Sequence, residues 1–195
     1  MNQKDIIKFF DSVAPTWDST TIRKEKAISD ILDLSEIKKG KKILDIACGT
    51  GVLFPDYLKR DIQSVLGLDI SQNMVQIASK KWENEKRINV ICADAQTIQL
   101  KDKFDVIMIH NAFPHFDEPQ KLIANLSKYL EIKGRLTVAH SMSKEEINNC
   151  HKGSASSVSV GLMDENELAK LMGSYLNVDT IISDNEKYIV SGTKK

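Results

Sequence analysis

The stretch Lys42-Ile43-Leu44-Asp45-Ile46-Ala47-Cys48-Gly49-Thr50-Gly51 decides how the rest of the chain is read. Its apolar run, Ile43 to Ala47, has the length and character of a buried strand. The run breaks into a loop of small residues, and a helix-like pattern begins near Val52. A strand, a small-residue turn and a helix start together make a place for a ligand. Gly49 and Gly51 can take φ > 0 without strain, and free N–H groups at the helix start point the same way. Asp45 is a carboxylate inside an apolar strand. A buried carboxylate needs a partner, so a cationic or hydrogen-bond-donating ligand is expected beside it.

A dinucleotide fingerprint needs G-x-G-x-x-G. Here the small residues fall at Ala47, Gly49 and Gly51, the next candidate position is Val52, and the third glycine is missing. Asp45-Ile46-Ala47-Cys48-Gly49-Thr50-Gly51 instead resembles motif I of the class I S-adenosylmethionine-dependent methyltransferases, acidic-x-small-x-Gly-x-Gly, and matches it at every defined position. A βα turn without a ligand competes with this reading, and the family features that follow at the expected distances weigh against it. The spacing also disfavours a nicotinamide oxidoreductase.

Composition sets the bounds. The chain has 195 residues, 42% hydrophobic and 28% charged, which fits one globular domain with a sizeable core. With 27 basic and 27 acidic side chains, no global charge argues for a nucleic-acid partner. Three cysteines at irregular spacing form neither a disulfide framework nor a zinc signature, so a reducing cytoplasm is expected. No apolar run is long enough to span a bilayer and Met1 to Asp5 begin no signal-peptide core, so no membrane role is expected.

Ser64 to Ser71 reads as a second strand ending in an acid, Asp69, which suits the ribose hydroxyls of an adenosine. Ser71 can cap the helix that follows, from Gln72 to about Trp82. Arg87 to Cys92 is a third strand, followed by Asp94 and Ala95. Lys103 to Asn111 is a fourth, apolar on both faces as a central parallel strand should be. Asp117 opens a helix with Pro119 in its first turn. Lys133-Gly134 is read as a turn into a fifth strand, Arg135 to His140. A short helix is expected at Lys144 to Cys150, and another after Asp164. Leu176 to Ser183 and Lys187 to Gly192 form a final hairpin. The expected fold is α/β: a Rossmann-like, seven-stranded, mostly parallel sheet with helices on both faces and a C-terminal antiparallel hairpin. One methyltransferase domain covers residues 1–195. Within it, 1–24 is an N-terminal lid, 25–195 the core, and 141–163 the substrate-side cover.

The resemblance implies S-adenosylmethionine as cofactor and a small-molecule acceptor. It implies a cofactor site of Asp45, Ala47, Cys48, Gly49, Thr50, Gly51, Asp69, Ile70, Met74, Asp94, Ala95 and Asn111, with Trp17 contributed by the lid element Phe10-Asp11-Ser12-Val13-Ala14-Pro15-Thr16-Trp17-Asp18. Asp45 would meet the methionine-amino region, Asp69 the ribose, and Asp94 with Ala95 the adenine. Met74 has core packing as its competing role. The loop Phe113-Pro114-His115-Phe116 follows the fourth strand and is expected to meet substrate.

His115, His140 and His151 fall at or after neighbouring strand ends, so one pocket is expected to hold them. One could be a general base, with a reference pKa of about 6.5. Alternatively the three could bind a metal that orients substrate, although no spacing supports it, or they could be packing residues. His110 is expected to be buried in its strand. A protein that binds S-adenosylmethionine or S-adenosylhomocysteine and regulates a partner without turnover is the other class of function left open.

Overall fold

The computed structural model describes residues 2–151 and 158–195, with the side chains of Cys150 and His151 outside that description. The N-terminal segment forms α1 (Gln3–Val13), a 3-10 turn (Ala14–Thr16) and α2 (Trp17–Thr20). Then come α3 (Glu25–Leu34), β1 (Lys42–Ile46), α4 (Phe54–Lys59), β2 (Ser64–Asp69), α5 (Gln72–Lys81) and β3 (Ile88–Cys92). After β4 (Phe104–His110) and a 3-10 turn (Phe113–His115) follow α6 (Pro119–Ser127), β5 (Leu130–His140), α7 (Lys144–His151), α8 (Glu165–Met172), β6 (Leu176–Ser183) and β7 (Tyr188–Lys194).

The seven strands form one sheet in the order β3-β2-β1-β4-β5-β7-β6. The first five are parallel, and β7 lies antiparallel between β5 and β6. Strand order therefore reverses between β1 and β4, and the carboxyl ends there open the crevice where α/β sheets bind ligands.

Alternation along each strand fills two cores. On one face Leu44, Ile46, Ile107 and Ile109 pack with Leu122 and Ile123 of α6 and Leu168 and Met172 of α8. On the other, Ile43, Val106 and Met108 pack with Ile28, Ile31 and Leu32 of α3 and Phe54 and Tyr57 of α4. Helix starts follow the local chemistry. The Ser71 hydroxyl accepts from Met74 N–H (3.1 Å), and Asp164 accepts from Asn166 and Glu167 N–H.

One expected boundary is wrong. β5 begins at Leu130, not Arg135: Leu130 pairs with Phe104, and the register then jumps to Val106 opposite Arg135. Residues 131–134 are a bulge within the strand, with Lys133 at φ 63°. Buried Arg135 then anchors the hairpin through Asp179 (2.7 Å) and Glu36 (2.9 Å).

Gly51 closes the first loop at φ +79°, and a Cβ there would stand 2.5 Å from Phe54 Cδ2 and 2.8 Å from Trp82 Nε1. Gly51→Ala should therefore lower the unfolding free energy by about 2–3 kcal/mol through combined backbone and packing strain. Urea denaturation of the two proteins measures this.

Candidate active site

Three carboxylates at the ends of three neighbouring strands line one pocket: Asp45 of β1, Asp69 of β2 and Asp94 just beyond β3. Asp69 is 6% exposed. Its Oδ2 accepts from Gly49 N–H (2.8 Å) and its Oδ1 from Ser71 N–H (2.9 Å), so it braces the β1 loop against the start of α5. Burial raises its pKa, and these backbone donors work against the rise. Asp94 accepts from Gln96 N–H (2.8 Å) and Thr97 Oγ1 (3.1 Å), and also from the Gln3 side-chain amide (3.0 Å), 91 residues away.

Asp45 is only 3% exposed, and no cation stands beside it among the described residues. Burial pushes its carboxyl up to about 8. The Tyr57 hydroxyl draws it part of the way back without completing a well-formed hydrogen bond, and the charge of Asp69 raises it further. The pocket thus carries a buried acid that no cation neutralises among the described residues. The same burial, with both acids nearby, raises the Cys48 thiol well above its ordinary value and keeps it protonated.

Ala47, Cys48, Gly49, Ile70, Met74, Ala95, Asn111 and Trp17 also line this pocket. Thr50 and Gly51 do not: Thr50 is buried and donates from Oγ1 to Asp18 (2.5 Å), and Gly51 packs under Phe54 and Trp82. Ala47, at φ 54°, turns the chain out of β1. Gly49 is at φ +57°, with Trp17 Nε1 3.5 Å from the place its Cβ would take, so conformation more than space calls for glycine there.

The N-terminal segment covers the pocket and is tied down by polar contacts. Asp11 accepts from Ser71 Oγ (2.6 Å) and Asn73 N–H (3.1 Å), Asp18 pairs with Lys81 (2.8 Å), and Arg23 pairs with Asp56 (2.7 Å). Phe10 meets Trp17 edge-on at 6.0 Å and His115 at 5.0 Å.

The histidines part company. His115 lines the pocket, and its Nδ1 lies 2.7 Å from the Val158 carbonyl oxygen. A carbonyl only accepts, so Nδ1 carries a proton and donates it there. His140 is 1% exposed, packs against Tyr188 (6.1 Å) and lies outside the pocket lining. The side chain of His151 lies outside the described residues. Of the expected trio, then, the described pocket contains one, and among the described residues no three His, Cys, Asp or Glu side chains come together to hold a metal. Phe116 lines the pocket, whereas Phe113 and Pro114 turn inward. His110 was missed: it ends β4, two residues after Met108 on the α4 side, and faces the pocket. Burial and the charge of Arg23 lower its pKa to about 4.

A family profile described as a methyltransferase domain matches residues 44–138, from β1 through most of β5. The ubiquinone/menaquinone biosynthesis C-methyltransferase UbiE of Campylobacter jejuni is 29% identical over 160 residues, covering 74% of this chain and 66% of that protein. A Coxiella burnetii ubiquinone biosynthesis O-methyltransferase is 28% identical over 144 residues, 70% of this chain and 61% of that one. The N-methyltransferase NodS of Bradyrhizobium japonicum, solved with S-adenosylhomocysteine, superposes with a TM-score of 0.77 at 12% identity, over 97% of this chain and 98% of its own. The chain is similar to S-adenosylmethionine-dependent methyltransferases, in sequence over residues 44–138 and in fold along nearly its whole length. It spans about two thirds or less of the length of the curated relatives named here. NodS holds S-adenosylhomocysteine, and the pocket of this chain fits S-adenosylmethionine on its own chemistry: a buried carboxylate with no cation beside it among the described residues, and a tight-turn loop beneath Trp17. No helix among the described residues is long and apolar enough to cross a membrane.

The Asp45 shift has a sign that can be measured. Below about pH 8 the free protein holds Asp45 protonated, and an ammonium ligand pairs with the ionised form. Affinity for S-adenosylhomocysteine should therefore rise with pH, by up to about tenfold per unit between pH 6 and 8, and level off above. Asp45→Asn should flatten this slope in calorimetric titrations. For the ligand-free fold the same shift acts the other way: the folded state holds the proton more tightly, so Asp45's contribution to stability falls as pH rises from about 4 to about 8.

Proposed function

We propose that this chain transfers a methyl group from S-adenosylmethionine to a small-molecule acceptor. The observation that carries the reading is the single pocket lined by Asp45, Asp69 and Asp94 at consecutive strand ends. When bound, S-adenosylmethionine supplies a methyl made electrophilic by its sulfonium, so the protein need not activate that partner. Asp94 and the backbone at Ala95 hold the adenine, Asp69 the ribose, and Asp45 the ammonium of the amino-acid tail, with Ala47 to Gly49, Ile70, Met74 and Asn111 as walls. A charge-assisted hydrogen bond of this kind is worth roughly 1.5–3 kcal/mol.

On the acceptor side the chain's tasks are alignment, exclusion of water and, for a protonated acceptor, proton removal. Good alignment alone is worth ~7–11 kcal/mol. The N-terminal segment acts as the lid, with Trp17 over the cofactor's methionine end; of the expected cover, 141–163, residues 152–157 lie outside the described residues, and Val158 meets His115. His115 is the first choice for taking the acceptor's proton, because it lines the pocket and its ring is held in place by the Val158 carbonyl. Relatives that act in ubiquinone biosynthesis support a small acceptor, and free thiols at Cys48 and Cys92 support a reducing cytoplasm.

Calorimetry should show S-adenosylhomocysteine binding and no response to NADH. Asp69→Ala should weaken that binding at least tenfold, about 1.4 kcal/mol, by removing the ribose acceptor and the brace on Gly49; unchanged affinity rejects the ribose assignment. With radiolabelled methyl donor and a panel of small nucleophiles, the wild-type protein should label one class of acceptor. His115→Ala should slow that transfer while keeping S-adenosylhomocysteine affinity within about threefold. Binding without transfer to any nucleophile would favour a regulatory cofactor-binding protein.

A further inference from the structure

β4 ends on an imidazole that lines the pocket. His110 lines the same cavity as Asp45, and its Nε2 is sealed from solvent and hydrogen-bonded to no described residue. Alternation puts it on Asp45's side of the sheet. Along β4, Val106 and Met108 pack toward α3 and α4, and His110 follows in step; along β1, Ile43 packs there and Asp45 follows. The register sets Asp45 opposite Met108 and Ile46 opposite Ile109. Continued by one residue, it brings His110 beside Ala47, where the cofactor loop leaves β1.

Strand order supplies the direction. β3, β2, β1 and β4 are consecutive neighbours. With adenine at Asp94, ribose at Asp69 and tail at Asp45, the ligand crosses the ends of β3, β2 and β1. The next strand end is that of β4, and His110 is its last side chain. Its ring stays neutral well below pH 7, so it keeps one N–H and one lone pair. A buried polar atom with no partner is costly in a folded protein, and a ligand that offers an O–H or N–H removes that cost. His115, one turn further on, already has its Nδ1 engaged by Val158.

We infer that His110 accepts a hydrogen bond from the acceptor's own hydroxyl or amine and so aims the nucleophilic atom at the transferable methyl. The inference rests on the methyltransferase reading. It assigns to His110 orientation of a protic heteroatom, and leaves proton removal to His115.

Sinefungin tests it without knowledge of the acceptor, because this S-adenosylmethionine analogue carries an amine where the sulfonium carries its methyl. Calorimetry would compare sinefungin and S-adenosylhomocysteine on the wild-type chain, on His110→Phe, which removes both ring nitrogens, and on His110→Asn, which restores a hydrogen-bond acceptor. The ratio of sinefungin to S-adenosylhomocysteine affinity should fall at least fivefold in His110→Phe and stay within threefold of wild type in His110→Asn. A smaller fall in His110→Phe overturns the inference. So does a parallel loss of both ligands with binding of tail-less 5′-methylthioadenosine retained, which would place His110 on the amino-acid tail. Should the phenyl variant fail to fold, His110→Leu takes its place under the same criterion. If the wild-type chain does not bind S-adenosylhomocysteine at all, the cofactor reading falls and this inference with it.

Discussion

Two buried carboxylates on neighbouring parallel strands, Asp45 and Asp69, are the constraint that shapes this molecule. Taking a carboxylate out of water costs several kcal/mol unless the protein or a ligand compensates. The chain compensates one of the two. Asp69 receives two backbone N–H groups, from Gly49 and Ser71, and those same bonds fix the β1 loop in its tight turn and the start of α5. Asp45 receives no such help, and its proton is retained to about pH 8 as a result. The proposed contact with a ligand's ammonium is the compensation that Asp45 lacks among the described residues.

The cover over the crevice is held differently from the core beneath it. Its Asp18–Lys81 pair is well exposed, and pairs of that kind contribute about 0–1 kcal/mol; the more buried pair, Arg23 with Asp56, lies at the segment's far end. Its apolar anchors are few: Ile6 and Ala14 are buried, while Phe10 and Trp17 stay half-buried against the pocket. Weak fastening fits the proposed lid, which has to part for a ligand that then lies beneath it. The bond from Gln3 to Asp94 places the first turn of the cover directly on a group assigned to the adenine.

What could be read from the sequence was what is set locally. The apolar run of β1, the small-residue loop, the acid closing β2 and the Ser71 cap are each decided within a few residues, and the structure contains all of them. What escaped was set by partners distant in sequence. The early start of β5 depends on how β4 registers against it, so Lys133-Gly134 looked like a turn and is a bulge. His110 and His140 both end strands and read alike, yet the order of the sheet and the parity of each strand turn one into the pocket and bury the other beside Tyr188. Thr50 stands at an open position of the motif; expected at the cofactor, it points instead to Asp18, a contact that no spacing reveals.

The crystal structure of the chain with S-adenosylhomocysteine tests the central claim most directly. The account predicts one ligand lying across three strand ends, with its amino group on Asp45, its ribose hydroxyls on Asp69 and its adenine amino group on Asp94. A nucleoside bound elsewhere, or bound here with Asp45 and Asp69 turned away from it, would contradict the account.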